Sequence, residues 1–118
     1  MLRGNGIQLY LETSGAYKIT GEWDWVCLSP KKNMQTLPEN YAKANELKVI
    51  VYNKDDFKFA EANFTASMKE ENKMEQGCFF LQPEWSRRNE MLPLIVNYVQ
   101  QNPKWRISLQ THKYIGIP

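Results

Sequence analysis

The sequence predicts an α/β fold with a parallel sheet of about five strands and helices in the crossovers between them. Five short segments have the apolar patterns of strands, three segments with helical periodicity separate the later strands, and no connection carries a tight hairpin signal. Strands that alternate with helices pair in parallel through right-handed crossovers. The length of 118 residues, 42% of them apolar, suits one such unit with its own core, so residues 1–118 are predicted to form a single domain.

The first two strands are predicted to follow one another without a helix between them. Apolar residues recur at every second position in residues 7–13 until Ser14-Gly15 ends the run, and residues 24–28 form a second run that Ser29-Pro30 stops. Residues 16–22 are too few for a crossover helix and are predicted to be a loop. Because the chain begins almost directly with a strand, we expect it to be part of a larger α/β barrel.

The middle of the chain is predicted to form a helix, a strand and a second helix. Residues 38–45 can form a short helix with Pro38 in its first turn, and the β-branched segment 47–52 follows as the third strand. Asp55 or Asp56 can cap the second helix. Its apolar side chains recur at three- and four-residue spacing and should pack on the sheet, namely Phe57, Ala60, Phe64 and Met68. The charged side chains expected to stay solvated are Lys58, Glu61 and Lys69.

The last part of the chain is predicted to form a strand, a helix and a final strand. After a charged segment, the continuous apolar run 78–81 indicates a strand covered on both faces. A helix then begins near Ser86 or Asn89 and ends before Asn102-Pro103. Its apolar stripe consists of Leu92, Ile95, Val96 and Val99. The alternating residues 106–114 are predicted to be the fifth strand.

The composition argues against several classes of function. A net charge of +2, from 15 basic and 13 acidic residues without a long basic run, gives little support for nucleic-acid binding but is compatible with a small anionic ligand. No apolar run approaches the roughly 18 residues of a membrane span, and residues 1–6 lack a signal-peptide core, so we expect a cytoplasmic protein. Cys27 and Cys78 lie in apolar runs typical of buried, reduced cysteines; they form no metal motif, and a disulfide between them is the less favoured interpretation.

Polar residues follow four of the predicted strands. In parallel α/β folds, ligands gather at the carboxyl ends of the strands. Here those ends are followed by the segments 12–15, 29–31, 82–85 and 110–113. Each segment taken alone is an ordinary turn, but four polar strand ends together predict a site for a polar, zwitterionic ligand.

Individual side chains in these segments suit such a ligand. Thr13 offers a hydroxyl, Gly15 lets the backbone approach a ligand closely, and Lys31 supplies a cation for a carboxylate. Trp85 can either pack in the protein or cover a purine-like ring. His112, the only histidine of the chain, is either a structural residue or part of the ligand site.

The same segments resemble a known family. Their sequences are similar to successive signature segments of the 7-carboxy-7-deazaguanine synthases, which are radical S-adenosylmethionine (SAM) enzymes. The four segments are Glu12-Thr13-Ser14-Gly15, Trp25 to Lys31, Phe80-Leu81-Gln82-Pro83 and Ser108 to Lys113. The resemblance extends over essentially the whole chain. It implies a partial radical SAM (β/α) barrel that converts 6-carboxy-5,6,7,8-tetrahydropterin to 7-carboxy-7-deazaguanine, with release of ammonia, in the biosynthesis of queuosine and related 7-deazapurines.

The resemblance also implies ligands and residue roles. The cofactors would be SAM, a [4Fe-4S] cluster and Mg²⁺. The enzyme would be a homodimer, as members of this family are, and would act on a small pterin without binding nucleic acid or a membrane. The residues that match substrate contacts are Thr13, His112 and the terminal Pro118, whose free carboxylate would meet the pterin. The residues that match the SAM site are Gly15, Ser29, Pro30, Lys31, Gln82, Pro83, Glu84 and Trp85.

One expected motif of this family is absent from the chain. Radical SAM enzymes hold their cluster with three cysteines in a CxxxCxxC loop, because thiolates are soft ligands for iron and one iron must stay open for SAM. This chain has only Cys27 and Cys78 and also lacks the magnesium-binding threonine that follows the motif. The resemblance therefore implies the C-terminal half of the enzyme, inactive without the cluster-binding half. A noncatalytic α/β binding or interaction module derived from the same fold is the alternative.

Overall fold

A computed structural model describes residues 8–70, 74 and 78–109, and it contains a five-stranded, all-parallel sheet. The strands are β1 (Tyr10–Thr13), β2 (Trp25–Leu28), β3 (Glu46–Val51), β4 (Phe79–Pro83) and β5 (Arg106–Ile107). The helices are α1 (Pro38–Lys43), α2 (Asp55–Lys69) and α3 (Arg88–Gln101), with a 3₁₀ turn at Trp85–Arg87 before α3. The strands lie in the sheet in chain order, which confirms the predicted fold class. None of the helices described is both long and apolar enough to cross a membrane.

The strand bounds differ from the sequence prediction by two residues or more at β1, β4 and β5. β1 begins at Tyr10, three residues after the predicted start. β4 continues to Pro83, two residues beyond the predicted end, since it stays paired with β3 along its whole length. β5 covers only Arg106–Ile107 instead of residues 106–114. The backbone N–H of Ser108 still donates to the carbonyl of Leu81, at 2.9 Å, but Ser108 and Leu109 are not in the strand. Residues 110–114 of the predicted strand lie outside the described residues.

The three helices cover one face of the sheet. Parallel strands in chain order, joined by crossovers of one hand, place every crossover helix on the same side. The side chains of Leu47, Val49 and Val51 in β3 point to that side and are fully buried in a common core with Ile95 and Trp105. The hydrophobic core therefore lies between the sheet and its helices.

The opposite face of the sheet, which we call the open face, is more polar. Register places Glu12, Cys27 and Glu46 in one row across β1, β2 and β3 on this face. Lys48 of β3 and Arg106 of β5 lie in the next row, on either side of Phe80 in β4. The Lys48 ammonium forms an ion pair with the Glu12 carboxylate, 2.8 Å away. The open face thus carries charge, whereas the face under the helices is mostly apolar.

The predicted packing stripes of α2 and α3 were wrong at three positions. Met68 is 49% exposed and Val96 is 38% exposed, whereas Glu61 is half-buried and not fully solvated. α2 buries a face that includes polar residues, namely Asp56, Ala60, Asn63 and Ser67. The polar side chains on this face have hydrogen-bond partners inside the protein; for example, Asn63 accepts a hydrogen bond from the Tyr41 hydroxyl at 2.6 Å. The buried face of α2 therefore differs from the predicted apolar stripe.

Glu61 links α2 to α3 and to the segment between α3 and β5. Its carboxylate accepts hydrogen bonds from the Tyr98 hydroxyl and from the Trp105 indole N–H, which is 2.9 Å away. It also forms an ion pair with Lys104 at 2.8 Å. Burial raises the pKa of Glu61, but the hydrogen bonds from Lys104, Tyr98 and Trp105 outweigh that effect and hold the pKa below its usual value.

Replacing Glu61 with glutamine should therefore destabilise the fold in a pH-dependent way. We expect Glu61→Gln to lower the free energy of unfolding at pH 7 by about 1–3 kcal/mol, because two donors and a cation lose a charged acceptor. The folded-state pKa is depressed, so this contribution is present above pH 4.5, the ordinary pKa of glutamate, and is lost as the pH falls through the folded-state pKa. Urea unfolding at several pH values measures the difference, with Glu39→Gln, at an exposed position of α1, as the control. A difference that did not shrink below pH 4.5 would contradict the assignment.

Candidate functional site

The carboxyl ends of the strands meet at one edge of the sheet, which we call the exit edge. Three of the four polar segments predicted for it are described, namely residues 12–15 at the end of β1, 29–31 after β2 and 82–85 at the end of β4. Because β1, β2, β3 and β4 are consecutive neighbours, these segments lie side by side along the edge. His112 and Pro118 lie outside the described residues.

Four polar residues form a cluster on the open face at the exit edge, and we call it the exit cluster: Glu12, Ser29, Lys31 and Lys48. The Lys31 ammonium donates to the Ser29 hydroxyl at 3.2 Å, and Ser29 is only 1% exposed. Lys31 also interacts electrostatically with Glu12 and Lys48. Glu12 is the ion-pair partner of Lys48, so the two ammonium groups and one carboxylate give these four residues a net positive charge.

The electrostatics of the exit cluster favour an anionic ligand. Burial lowers the pKa of Lys31 below its usual value; the Glu12 carboxylate opposes this shift and the Lys48 ammonium adds to it. Desolvation makes the Lys31 charge costly unless a counter-charge is near. A bound carboxylate would supply that counter-charge, so the cluster has the chemistry of a carboxylate-binding site.

Sequence reasoning found Lys31 and Ser29 but assigned no role to Glu12 or Lys48. Lys48 stands inside the β-branched segment of the third strand, where nothing in the local pattern marks it as a site residue. Its alternation with Leu47 and Val49 could have placed it on the other face of the sheet. Its approach to Glu12 depends on the pairing of β1, β2 and β3, which the local pattern does not specify.

The backbone turns sharply at Gly15, immediately after β1. Gly15 has φ +75°, in the left-handed region, and an added Cβ would lie 2.5 Å from Cδ1 of Leu28 and 2.9 Å from Cγ2 of Thr36. Both the backbone angle and the lack of space require glycine here. The Gly15 N–H donates to the Thr13 hydroxyl at 3.1 Å, so the turn also orients that hydroxyl.

Most polar groups in the segment at the end of β4, residues 82–85, have nearby interaction partners. Gln82 is 3% exposed and accepts a hydrogen bond from the Ser108 hydroxyl at 3.1 Å. Glu84 caps the 3₁₀ turn by accepting from the Ser86 N–H at 3.0 Å. The Arg88 guanidinium lies 3.8 Å from the centroid of the Trp85 ring. Pro83 ends the strand, and these contacts hold the segment that follows it at the exit edge.

Two buried polar atoms lie near the ends of β3 and β4 without a hydrogen-bond partner in the described part of the protein. They are Oδ1 of Asn53, two residues after β3, and Nε of Arg87, in the 3₁₀ turn after β4. Both residues line one cavity of about 390 Å³.

Comparison with known proteins gives consistent results for sequence and structure. The chain is 56% identical over 117 residues to a 7-carboxy-7-deazaguanine synthase of Flavobacterium psychrophilum, covering 99% of the chain and 53% of that protein. It is 43% identical over 117 residues to the protein of the same name from Synechocystis, covering 98% and 52%. The crystal structure of QueE from Escherichia coli matches 90% of the chain and 45% of its own length, with a TM-score of 0.69 and 25% identity. No protein-family model matches the chain.

Nearly the whole chain is homologous to part of the 7-carboxy-7-deazaguanine synthases. It spans about half the length of the curated relatives it matches. The resemblance predicted from the four sequence segments is thereby confirmed.

The two cysteines lie in different parts of the sheet and differ in burial. Both are free thiols; Cys27 is fully buried, as predicted, and Cys78 is half-buried. Burial raises the pKa of Cys27 to about 12, with a further contribution from the Glu46 carboxylate, so its thiol stays protonated at neutral pH. Cys27 pairs with Glu46 on one side of β3, and the carbonyl of Cys78 accepts from Leu47 on the other.

The positions of these cysteines do not fit the [4Fe-4S] cluster that the resemblance implies. Two strand spacings separate them, about 10 Å, which is also too far for a disulfide. No group of three histidine, cysteine, aspartate or glutamate side chains suited to a metal ion is present within residues 8–70, 74 and 78–109. A cluster needs three thiolates close together, and the whole chain has two thiols.

Proposed function

We propose that this chain is the C-terminal half of a radical SAM lyase that converts 6-carboxy-5,6,7,8-tetrahydropterin to 7-carboxy-7-deazaguanine. Its contribution to the reaction is to bind and orient SAM and the pterin. The observation that carries the proposal is the exit cluster, since a partly desolvated lysine that donates to Ser29 and lies near Glu12 and Lys48 coincides with a segment that resembles the SAM site of the family. The sequence identity to relatives that bear the synthase name supports it independently.

The residues at the exit edge suit SAM as a ligand. SAM carries a carboxylate and an amino group on its methionyl part, and the exit cluster offers ammonium groups and an acceptor carboxylate for these charges. In the proposed site Ser29, Pro30 and Lys31 line one side. The other lining residues are Gly15, Gln82, Pro83, Glu84 and Trp85. When bound next to a reduced cluster, SAM supplies the 5′-deoxyadenosyl radical that starts the reaction of the pterin.

The pterin is proposed to contact Thr13, His112 and the carboxylate of Pro118. The Thr13 hydroxyl already accepts a hydrogen bond from the Gly15 N–H, so its own proton is available to an acceptor on the substrate. The [4Fe-4S] cluster and Mg²⁺ are proposed to be held by the other half of the enzyme. This half alone is therefore expected to be inactive.

A chimera tests the proposed function. In it, this chain replaces the matching segment of the Flavobacterium psychrophilum relative, to which it is 56% identical. We expect the reconstituted chimera to form 7-carboxy-7-deazaguanine from the tetrahydropterin under anaerobic, reducing conditions. Its kcat should lie within about tenfold of that of the intact relative, because a tenfold change corresponds to only about 1.4 kcal/mol in the barrier. Chromatography of the products over time measures this.

The control is the relative with the matching segment deleted, which should form no product. A chimera that folds and holds its cluster but forms neither 5′-deoxyadenosine nor product would contradict the proposal. It would favour the noncatalytic α/β module instead. That alternative is supported only by the lack of cluster ligands in this chain.

A further inference from the structure

Asn40 binds the loop that follows β1 with a single buried side chain. It lies in the first turn of α1 and is fully buried. Its amide nitrogen donates to the carbonyl of Gly15 at 2.8 Å and to that of Tyr17 at 2.9 Å. Its amide oxygen accepts from the N–H of Ile19 at 3.3 Å. One side chain thus satisfies three backbone groups of residues 14–19, which we call the β1 loop.

Other contacts to the β1 loop come from the segment just before α1. The N–H of Leu37 donates to the carbonyl of Gly15 at 2.9 Å, and the Thr36 hydroxyl donates to the carbonyl of Ser14 at 2.9 Å. Gly15 itself has a left-handed backbone, and a Cβ at this position would meet the side chains of Leu28 and Thr36. The loop is therefore fixed from the side of α1, with Asn40 making the largest number of its side-chain hydrogen bonds.

The conformation of the β1 loop controls Thr13. The Gly15 N–H bonds to the Thr13 hydroxyl at 3.1 Å, and the carbonyl of the same residue bonds to Asn40. A shift of Gly15 would move both groups together. Gly15 therefore links Asn40 to Thr13 through two hydrogen bonds.

We propose that Asn40 is a positioning residue that holds the β1 loop, and with it the Thr13 hydroxyl, in the arrangement that binds the pterin. This inference rests on the proposed function, because Thr13 is a substrate contact only if the chain is part of a synthase. The sequence placed Asn40 inside a short helix and indicated no role for it, since its partners are 21 to 25 residues earlier in the chain.

A matched pair of variants separates this role from simple stabilisation. Asn63 is also a buried asparagine, 6% exposed, and its amide bonds to the Tyr41 hydroxyl and to the carbonyl of Phe59. Asn63→Ala and Asn40→Ala each remove a buried amide, so we expect a comparable loss of global stability from both. Only Asn40→Ala removes contacts to the β1 loop.

The first readout is amide hydrogen exchange of Gly15 in this chain, followed by NMR. The Gly15 N–H does not bond to Asn40, so it reports the loop and not the deleted contact. We expect its exchange to be at least about tenfold faster in Asn40→Ala than in the wild type, and within about threefold of the wild type in Asn63→Ala. Equal effects of the two variants, or no effect at Gly15, would overturn the proposal.

If Asn40→Ala does not fold, Asn40→Asp replaces it in the hydrogen-exchange measurement. It keeps the volume and the acceptor for Ile19, but at neutral pH it places carboxylate oxygens against the carbonyl groups of Gly15 and Tyr17. We expect faster Gly15 exchange at pH 7 and recovered protection, after correction for intrinsic rates, as acid protonates the carboxyl group. A protection factor that did not depend on pH would count against the proposal.

The second readout is the kinetics of the chimera. Asn40→Ala should raise the KM for the pterin about tenfold or more and change kcat much less, since it affects substrate binding and not the chemistry. Asn63→Ala should change neither by more than about threefold. If the wild-type chimera is inactive, the proposed function fails, while Gly15 exchange in this chain still decides whether Asn40 positions the loop. Faster exchange together with an unchanged KM would overturn the link between the loop and the substrate.

Discussion

Anaerobic reconstitution of this chain with iron and sulfide is expected to leave no [4Fe-4S] cluster bound. The Cys27 thiol is fully buried, and burial raises its pKa to about 12, so the thiolate needed for iron is scarce at neutral pH. Cys78 lies two strands away, and there is no third cysteine in the chain. The effect is all-or-none, because two thiols cannot replace three clustered ones.

Iron and sulfide analysis together with visible absorption measures this outcome. The intact Flavobacterium psychrophilum relative, carried through the same procedure, is the positive control, and we expect it to retain about one cluster per chain. Stoichiometric iron and sulfide in this chain, with cluster absorption that survives desalting, would show that ligands other than a three-cysteine motif hold a cluster here.

Local patterns predicted most of the fold. Period-two alternation predicted β1, a β-branched segment predicted β3 and apolar runs predicted β2 and β4, all to within about three residues, and Pro38 marked the start of α1. The packing of α2 was predicted wrongly because apolar spacing alone selected Met68 and left out Glu61. Tertiary hydrogen bonds override that spacing: Glu61 is drawn inward by donors 37 and 44 residues away, which no local pattern contains.

The candidate site was predictable where it follows strand ends. Ser29 and Lys31 stand at the end of an apolar run, so the parallel-sheet rule placed them at the exit edge. Lys48 and Asn40 were not predicted as site residues, because their roles depend on strand register and on a contact between α1 and the β1 loop. Such pairings over 21 to 36 residues become visible only when the chain is folded.

Removing the Lys31 ammonium should produce a large loss of SAM affinity in the chimera. Lys31 is held by Ser29 at 3.2 Å, and its charge is partly desolvated beside Glu12 and Lys48. A charge-assisted hydrogen bond in such surroundings contributes about 1.5–3 kcal/mol, so Lys31→Ala should weaken SAM binding about ten- to a hundredfold. The fold should be little affected, because Lys31 lies at a strand exit and not in the core.

The equilibrium dissociation constant of SAM, measured by calorimetry on the cluster-loaded chimera, tests most directly whether the exit edge of this chain binds the cofactor. Lys58→Ala, at an exposed position of α2, is the matched control. We expect the chimera to bind SAM with an affinity near that of the intact relative. Lys31→Ala should raise the dissociation constant of SAM at least about tenfold, and Lys58→Ala should leave it unchanged. Equal SAM affinities for the chimera and its Lys31→Ala form would contradict the placement of SAM at the exit cluster.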